Sequence, residues 1–453
     1  MPLESVISTE FHSFFAEGRP NEKREAIVIY RAPAAIEPRV RGRLRELKKR
    51  LDVIKASASA QRPVQKSLFD GYRKAVGKPK SGAPDLTTSA IGRNTLPISR
   101  IDVTPRTLPL LAAQPNVVAV LPNLRIRPIR PKSLAYETPD PGELRAHLTW
   151  GLRQLDIPKL WQKTKGENIN VAVLDSGVYG DHPALDGRVK EFIVVDPLGN
   201  RIKTDRPFDS NQHGTHVCGT IAGGKTADGI SIGVAPAANL LVGGVLIGNA
   251  TLVTLMEGIS WAVEQGADII SMSLGFPYYE PLFAEVFKVL IDQYSVLPVA
   301  AIGNENYGNS SSPGNAYTAL SVGAVEKTAN RKVEVAFFSS GASLVFPGGG
   351  AQTVVTKPDI VAPGVRVYSA VPPENRPDGT YEYAYFDGTS MATPHVAGVA
   401  ALLMAAKPAA PVSDIIEVIK TTAKHPHGME LRPDNRWGHG VIRPVDALKA
   451  LLS

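Results

Sequence analysis

One stretch near the end of this 453-residue chain constrains its fold more than any other: Gly388-Thr389-Ser390-Met391-Ala392-Thr393-Pro394-His395-Val396-Ala397-Gly398. It runs into an apolar segment, Val396 to Ala406, that reads as a helix buried on all sides. Gly388 offers a sterically permissive entry, and Pro394 is expected in the first turn, where a missing N–H costs little. A serine at the head of such a helix, Ser390, would present its hydroxyl to solvent among unpaired N–H donors that attract negative charge. An acyl-transfer nucleophile has those needs. A lone serine in this place is ordinarily a helix cap, so the rest of the chain has to decide.

A nucleophilic hydroxyl needs a base, and the base needs an orienting carboxylate. The run Ile169-Asn170-Val171-Ala172-Val173-Leu174 reads as a central parallel strand, and it ends on Asp175-Ser176-Gly177. That places Asp175 at the carboxyl end of a strand, where open α/β sheets put their sites. Further on, His213-Gly214-Thr215-His216-Val217-Cys218-Gly219-Thr220-Ile221-Ala222-Gly223 reads as a tightly packed helix led by His213. The chain order is then Asp, His, Ser.

With these three segments the chain resembles a subtilisin-like serine protease, a subtilase of the peptidase S8 family, from about Trp150 to Ala450. The resemblance implies a three-layer α/β/α domain with a mostly parallel sheet, and a serine endopeptidase acting on polypeptides. It implies Ser390 as nucleophile, His213 as base and then acid, and Asp175 as the group fixing the imidazole tautomer. Asn304, ending the apparent strand Val296 to Ile302, matches the family's oxyanion-hole side chain, which would act with the Ser390 N–H. Ser273, Leu274 and Gly275 match the edge on which an extended substrate adds as an antiparallel strand. His216 and Cys218 beside His213 match no zinc spacing, so no metal is expected there, and His182, His216 and His395 read as structural. Ala184 stands where many relatives carry a calcium-binding acid, and a structural calcium at that place is expected to be incomplete. Neither a cofactor nor a metal is otherwise implied.

Charge divides the chain. Residues 1–132 carry a formal net charge of +14 and the remainder −7, so the two blocks suit each other as electrostatic partners. Within the basic block, 25–30, 96–103 and 115–123 read as strands. Val40, Leu44, Leu47, Leu51 and Ile54 recur at helical spacing, 105–113 reads as a short helix, and 56–92 as a loop-heavy insertion. This order resembles the α+β, ferredoxin-like inhibitory prodomain of subtilases. The implied division is an extension over 1–24, a prodomain over 25–132, a linker over 133–149 and a catalytic domain over 150–453. The prodomain would be an intramolecular inhibitor, with self-cleavage in the Pro- and charge-rich stretch 126–147, at Tyr136 or Leu144. No helix-turn-helix, zinc-finger or aromatic RNA-binding pattern accompanies the basic block, which argues against nucleic acid as a partner. No 18-residue apolar run suggests a membrane span. A single cysteine excludes an internal disulfide. The start Met1-Pro2-Leu3-Glu4-Ser5-Val6 has no apolar core of a secretory signal, which points to a cytoplasmic enzyme or to a secreted one whose signal has been removed. The sequence is silent on oligomeric state.

Overall fold

A computed structural model describes residues 6–31, 47–77, 85–330, 332–348 and 351–453. Val40, Leu44 and the first five residues lie outside the described residues.

The centre is a nine-stranded sheet among the described residues. In spatial order its strands are Val333–Val335, Leu320–Lys327, Leu297–Ala301, Ile269–Met272, Asn170–Asp175, Asn239–Gly244, Val189–Val195 and Arg201–Ile202, while Ile360–Pro363 also pairs with Leu320–Lys327. The inner pairings are parallel and the two edge pairings, at Val333–Val335 and Arg201–Ile202, are antiparallel. Parallel strands covered on both faces need continuous apolar runs, and Val171, Ala172, Val173 and Leu174 are fully buried. One face packs against helices His213–Ala222 and Thr389–Ala406, and the other against Leu252–Glu264 and Pro281–Tyr294. The fold is the expected three-layer α/β/α arrangement with a mostly parallel sheet.

Thr389–Ala406 is apolar and long enough to cross a membrane by composition, yet 89% of it is buried inside the protein. The absence of such a segment, read from the sequence, is corrected: this helix is the core element that the sheet and the His213 helix enclose. Its first residue is Thr389, so Pro394 is the sixth residue rather than part of the first turn. Proline there leaves the Ser390 carbonyl without its helical donor, and the Ser273 hydroxyl supplies one at 3.2 Å. Gly388 is extended, at φ 166°, so its freedom from a side chain matters for space and not for backbone angle.

The N-terminal residues form a four-stranded antiparallel sheet in the order Thr88–Ala90, Ile98–Val103, Arg24–Tyr30, Val117–Pro122. Residues 6–17 are not an appendage, because Val6, Phe11 and Phe14 are buried in the core of this unit. The loop expected over 56–92 is instead a 30-residue helix, Leu47–Val76, followed by a short strand. Its inward stripe includes Gln61 and Gln65, buried with their amide nitrogens donating to the Thr95 carbonyl and the Ser99 hydroxyl, so polar residues interrupt the apolar periodicity. Ile27, Ile29, Ile54, Ile98 and Leu121 join the same apolar cluster as the helices Leu252–Glu264 and Pro281–Tyr294. The N-terminal unit therefore covers those two helices. Arg50 enters this contact to pair with Asp268 and the Gly266 carbonyl.

Residues 126–147 are not a loose linker. Arg127–Pro128 pairs with Leu274–Gly275, Ser133–Ala135 pairs with Tyr385–Asp387, and Pro141–Ala146 is a helix capped by Asp140.

Candidate active site

Asp175 closes its strand fully buried, and its Oδ1 lies 2.8 Å from His213 Nδ1. The two are brought together by a close backbone contact. A Cβ at Gly214 would meet the Gly177 carbonyl oxygen at 2.1 Å, so the turn after Asp175 and the start of the His213 helix touch at two glycines. Ser176 strengthens the junction, accepting from the Gly214 N–H at 3.0 Å and donating to Asp209 at 2.7 Å. Asp209 also accepts from the Thr215 N–H and hydroxyl at 2.7 and 2.6 Å. Burial pushes its carboxyl up despite these donors. For His213 burial works to lower the pKa, but the charge and hydrogen bond of Asp175, with Asp209 behind, outweigh it and hold the imidazole above its ordinary 6.5. His213 Nε2 is buried and makes no hydrogen bond.

Ser390 lies on the neighbouring helix and is fully buried, not presented to solvent as the sequence suggested. The cover is the chain's own segment 124–132. Its Leu124 and Ile126 exchange hydrogen bonds with Leu252 and Ala250, at 2.9 and 3.0 Å, on one side. On the other side Arg127 and Pro128 lie opposite Gly275 and Leu274, and the Ile129 N–H donates to the Ser273 carbonyl at 3.1 Å. The three edge residues expected to hold an extended peptide thus hold one from the same chain.

The Ser390 hydroxyl donates to the Ile129 carbonyl at 2.9 Å. Asn304 Nδ2 donates to the next carbonyl, that of Arg130, at 2.9 Å. The amide has a fixed sense, because Asn304 Oδ1 accepts from both the Thr389 N–H and the Thr389 hydroxyl at 2.9 Å. Beyond the site, the Lys132 N–H donates to the Asp387 carbonyl at 2.7 Å.

The structure brings Asp175 to His213, and Ser390, Asn304 and Ser273–Gly275 onto one extended segment. It does not bring Tyr136 or Leu144 there: Tyr136 bonds to Gln212, and Leu144 sits in the helix Pro141–Ala146 beside a separate apolar cluster. The peptides at Ser390 are those flanking Arg130. Sequence reasoning missed Asp209 and Thr389. Asp209 stands four residues before His213 and Thr389 directly before Ser390, so proximity to the proposed base and nucleophile was the available signal.

Three further histidines, His182, His216 and His395, are tied to backbone carbonyls. His216 bonds to the Val367 and Ala384 carbonyls and stacks on Phe386, and burial lowers its pKa to about 3. His395 bonds to the Met391 carbonyl, and His182 to that of Glu382. At the position where the resemblance implies a calcium, the side chain offers no ligand. Ala184 has no side-chain oxygen, and its carbonyl accepts the Gly224 N–H at 2.8 Å.

Comparison with known proteins agrees with this fold. The family model for the subtilase family, Peptidase S8, matches residues 166–440. The chain is 37% identical to an intracellular serine protease of Paenibacillus polymyxa over 267 residues, covering 56% of this chain and 72% of that one. It is 33% identical to subtilisin E of Bacillus subtilis (strain 168) over 305 residues, covering 65% and 71%. The crystal structure of fervidolysin from Fervidobacterium pennivorans, described as a keratinolytic enzyme related to subtilisin, superposes with a TM-score of 0.68 at 24% identity. That match covers 95% of this chain and 61% of the fervidolysin chain, and it speaks to the fold. The chain belongs to the subtilase family of serine proteases.

Proposed function

We propose that the protein is a serine endopeptidase working through Asp175, His213 and Ser390, and that its N-terminal α+β unit is a prodomain holding it self-inhibited. One observation carries this reading most directly: Ser390 and Asn304, on different elements, each hold a carbonyl of one extended peptide, at 2.9 Å. Peptide hydrolysis requires a nucleophile and an oxyanion donor that can be brought to one carbonyl group, and these two groups converge on adjacent carbonyls of a single strand.

In the proposed reaction on a polypeptide, the Ser390 hydroxyl turns to His213 Nε2, which takes its proton as the oxygen attacks the scissile carbonyl carbon. Asn304 Nδ2 and the Ser390 N–H stabilise the oxyanion. His213 then protonates the departing nitrogen, and water, deprotonated by the same imidazole, releases the acyl group from Ser390. Asp175 stays ionised throughout and holds Nδ1–H toward itself, leaving Nε2 free for the proton.

Self-inhibition is supported by the same contacts, since the 124–132 segment fills the edge a substrate would use. The bonds that a self-maturing chain would cut are then those at Arg130, rather than at Tyr136 or Leu144.

The test is hydrolysis of casein after limited proteolysis in the linker. Wild type should gain activity on nicking, while Ser390→Ala and His213→Ala nicked in the same way should stay inactive. Equal casein hydrolysis by all three proteins would reject the assignment.

A further inference from the structure

We propose that residues 6–14 form a proton-held clasp over the turn at 278–281, which keeps the N-terminal unit seated while Glu280 is neutral and releases it as that carboxyl ionises beside Glu10. The proposal rests on the reading, given above, of the N-terminal unit as the inhibitor of the Ser390 site.

The clasp is built into the N-terminal unit. Val6 and Ser8 exchange hydrogen bonds with Val120, at 2.8 and 2.9 Å, and Phe11 and Phe14 are buried in the core of the same unit. The Ser8 side chain accepts the Glu10 N–H at 3.3 Å, which sets Glu10 in the helical turn that begins at Thr9. Facing this turn is the stretch 278–281 of the catalytic domain. Between the two lies a cavity of about 320 Å³, bounded by residues 6–10 with Ile29, Val118 and Leu121 on one side, and by 278–281 with Glu285 on the other.

The carboxyl of Glu280 meets this cavity without a cation. Glu280 is only 1% exposed. Its N–H donates to the Ser312 hydroxyl at 2.8 Å, and its Oε1 caps the helix Pro281–Tyr294 by accepting the Leu282 N–H at 3.3 Å. One long N–H bond is weak compensation for a charge taken out of water. No lysine, arginine or histidine among the described residues lines the cavity, which presents the carboxyls of Glu10, Glu280 and Glu285. Lys288, two turns along the helix, is taken by Asp292 at 2.6 Å. Tyr278 and Tyr279 stand beside Glu280 with hydroxyls that burial holds above their ordinary range, as it does that of Tyr317 beyond them. The strands opposite offer only apolar side chains at Ile29, Val118, Ala119 and Leu121. Burial pushes the Glu280 carboxyl up to about 8, against the pull of the Leu282 N–H and with the charge of Glu10 adding to the rise.

The sign of the linkage follows. With the N-terminal unit away, one wall of the cavity is gone and the carboxyl returns toward its ordinary 4.5. Docking therefore takes up a proton. It is strongest at acid pH and weakens by up to roughly tenfold per pH unit until about pH 8, where the docked carboxyl has ionised and the loss stops. The clasp bears on both sides of the occupied edge. Val120 stands in the strand Val117–Pro122, two residues before Leu124, and Glu280 follows Leu274–Gly275 through Phe276, which exchanges hydrogen bonds with Ser312 at 3.1 and 3.0 Å.

The test is the rate of fluorophosphonate labelling of Ser390 in full-length, un-nicked protein, divided by that of its nicked form at the same pH so that the titration of His213 cancels. Wild type, Glu280→Gln and Glu10→Lys are compared from about pH 6 to about pH 9. In wild type the ratio should climb by up to roughly tenfold per pH unit and level off near pH 8. Glu280→Gln is neutral at every pH and should give a flat ratio. Glu10 is exposed, so Glu10→Lys sets a cation beside the ionised carboxyl without disturbing the core, and its ratio should stay below that of wild type at about pH 8 and higher. A wild-type ratio that does not change with pH overturns the clasp. So does a climb that persists in Glu280→Gln, or a Glu10→Lys ratio at or above that of wild type, and these results leave the inhibitor reading intact. Equal labelling of wild type before and after nicking at every pH overturns the inhibitor reading, and the clasp with it.

Discussion

Four side chains carry the chemistry in this account, and each can be removed alone. Ser390→Ala or His213→Ala should lower kcat of the nicked enzyme by about 10⁶-fold, the scale known for subtilases. Asn304→Ala should lower kcat by about 10²–10³-fold with KM little changed, again a loss known for such a donor in this family. Titration of substrate hydrolysis separates base from scaffold. The base must be neutral, so activity falls as pH drops through the His213 pKa, which stands above 6.5. Asp209 contributes to that elevation. Asp209→Asn should therefore move the acidic limb of the kcat/KM profile to lower pH, whereas a limb that stays in place would deny Asp209 any electrostatic part. The sign for stability is the opposite of that for activity. A histidine raised on folding contributes stability that is complete below about pH 6.5 and lost as pH rises through the raised value.

Among the elements, the junction between the Asp175 turn and the His213 helix is set by space. Gly214→Ala would drive a Cβ to 2.1 Å from the Gly177 carbonyl. The two elements must separate, at about 1–3 kcal/mol in stability and with a larger fractional loss in kcat, measurable as a lower urea midpoint beside a lower rate. What could be read from the sequence follows from the same distinction. The strands ending at Asp175 and Ala301 and the helices beginning at His213 and Thr389 were legible, because each pairs a buried apolar run with small residues at a tight junction. The helix Leu47–Val76 was half hidden, since Gln61 and Gln65 turn inward with their own hydrogen-bond partners. The course of 124–132 was implied only by the resemblance, in which a prodomain lays its C-terminal tail through the cleft, and not by the residues themselves. It is held mostly by main-chain hydrogen bonds, which leave no side-chain pattern, and its prolines and arginines are the composition of a linker.

Over the whole molecule, the basic N-terminal unit meets the acidic remainder, but their charges do little at close range. The contact is mostly apolar, built on Ile27, Ile29, Ile54, Ile98 and Leu121. Arg50–Asp268 is its buried ion pair, whereas Arg93 reaches Glu264 only at 3.7 Å and stays exposed. Net charges of opposite sign then act on approach more than on the docked state. Arg50→Ala leaves Asp268 buried with a lost partner, a change of about 3 kcal/mol. It should loosen the N-terminal unit, so that calorimetry shows an early transition ahead of the main one and proteolysis in the linker accelerates. A single unchanged transition would mean that the apolar contact alone holds the unit.

The most direct test of the central claim is mass mapping of a fluorophosphonate adduct on the nicked full-length protein. The account predicts one adduct, on Ser390, formed far more slowly before nicking, nearly lost in His213→Ala, and absent in Ser390→Ala. An adduct that persists in Ser390→Ala, or none on Ser390 after nicking, would contradict it.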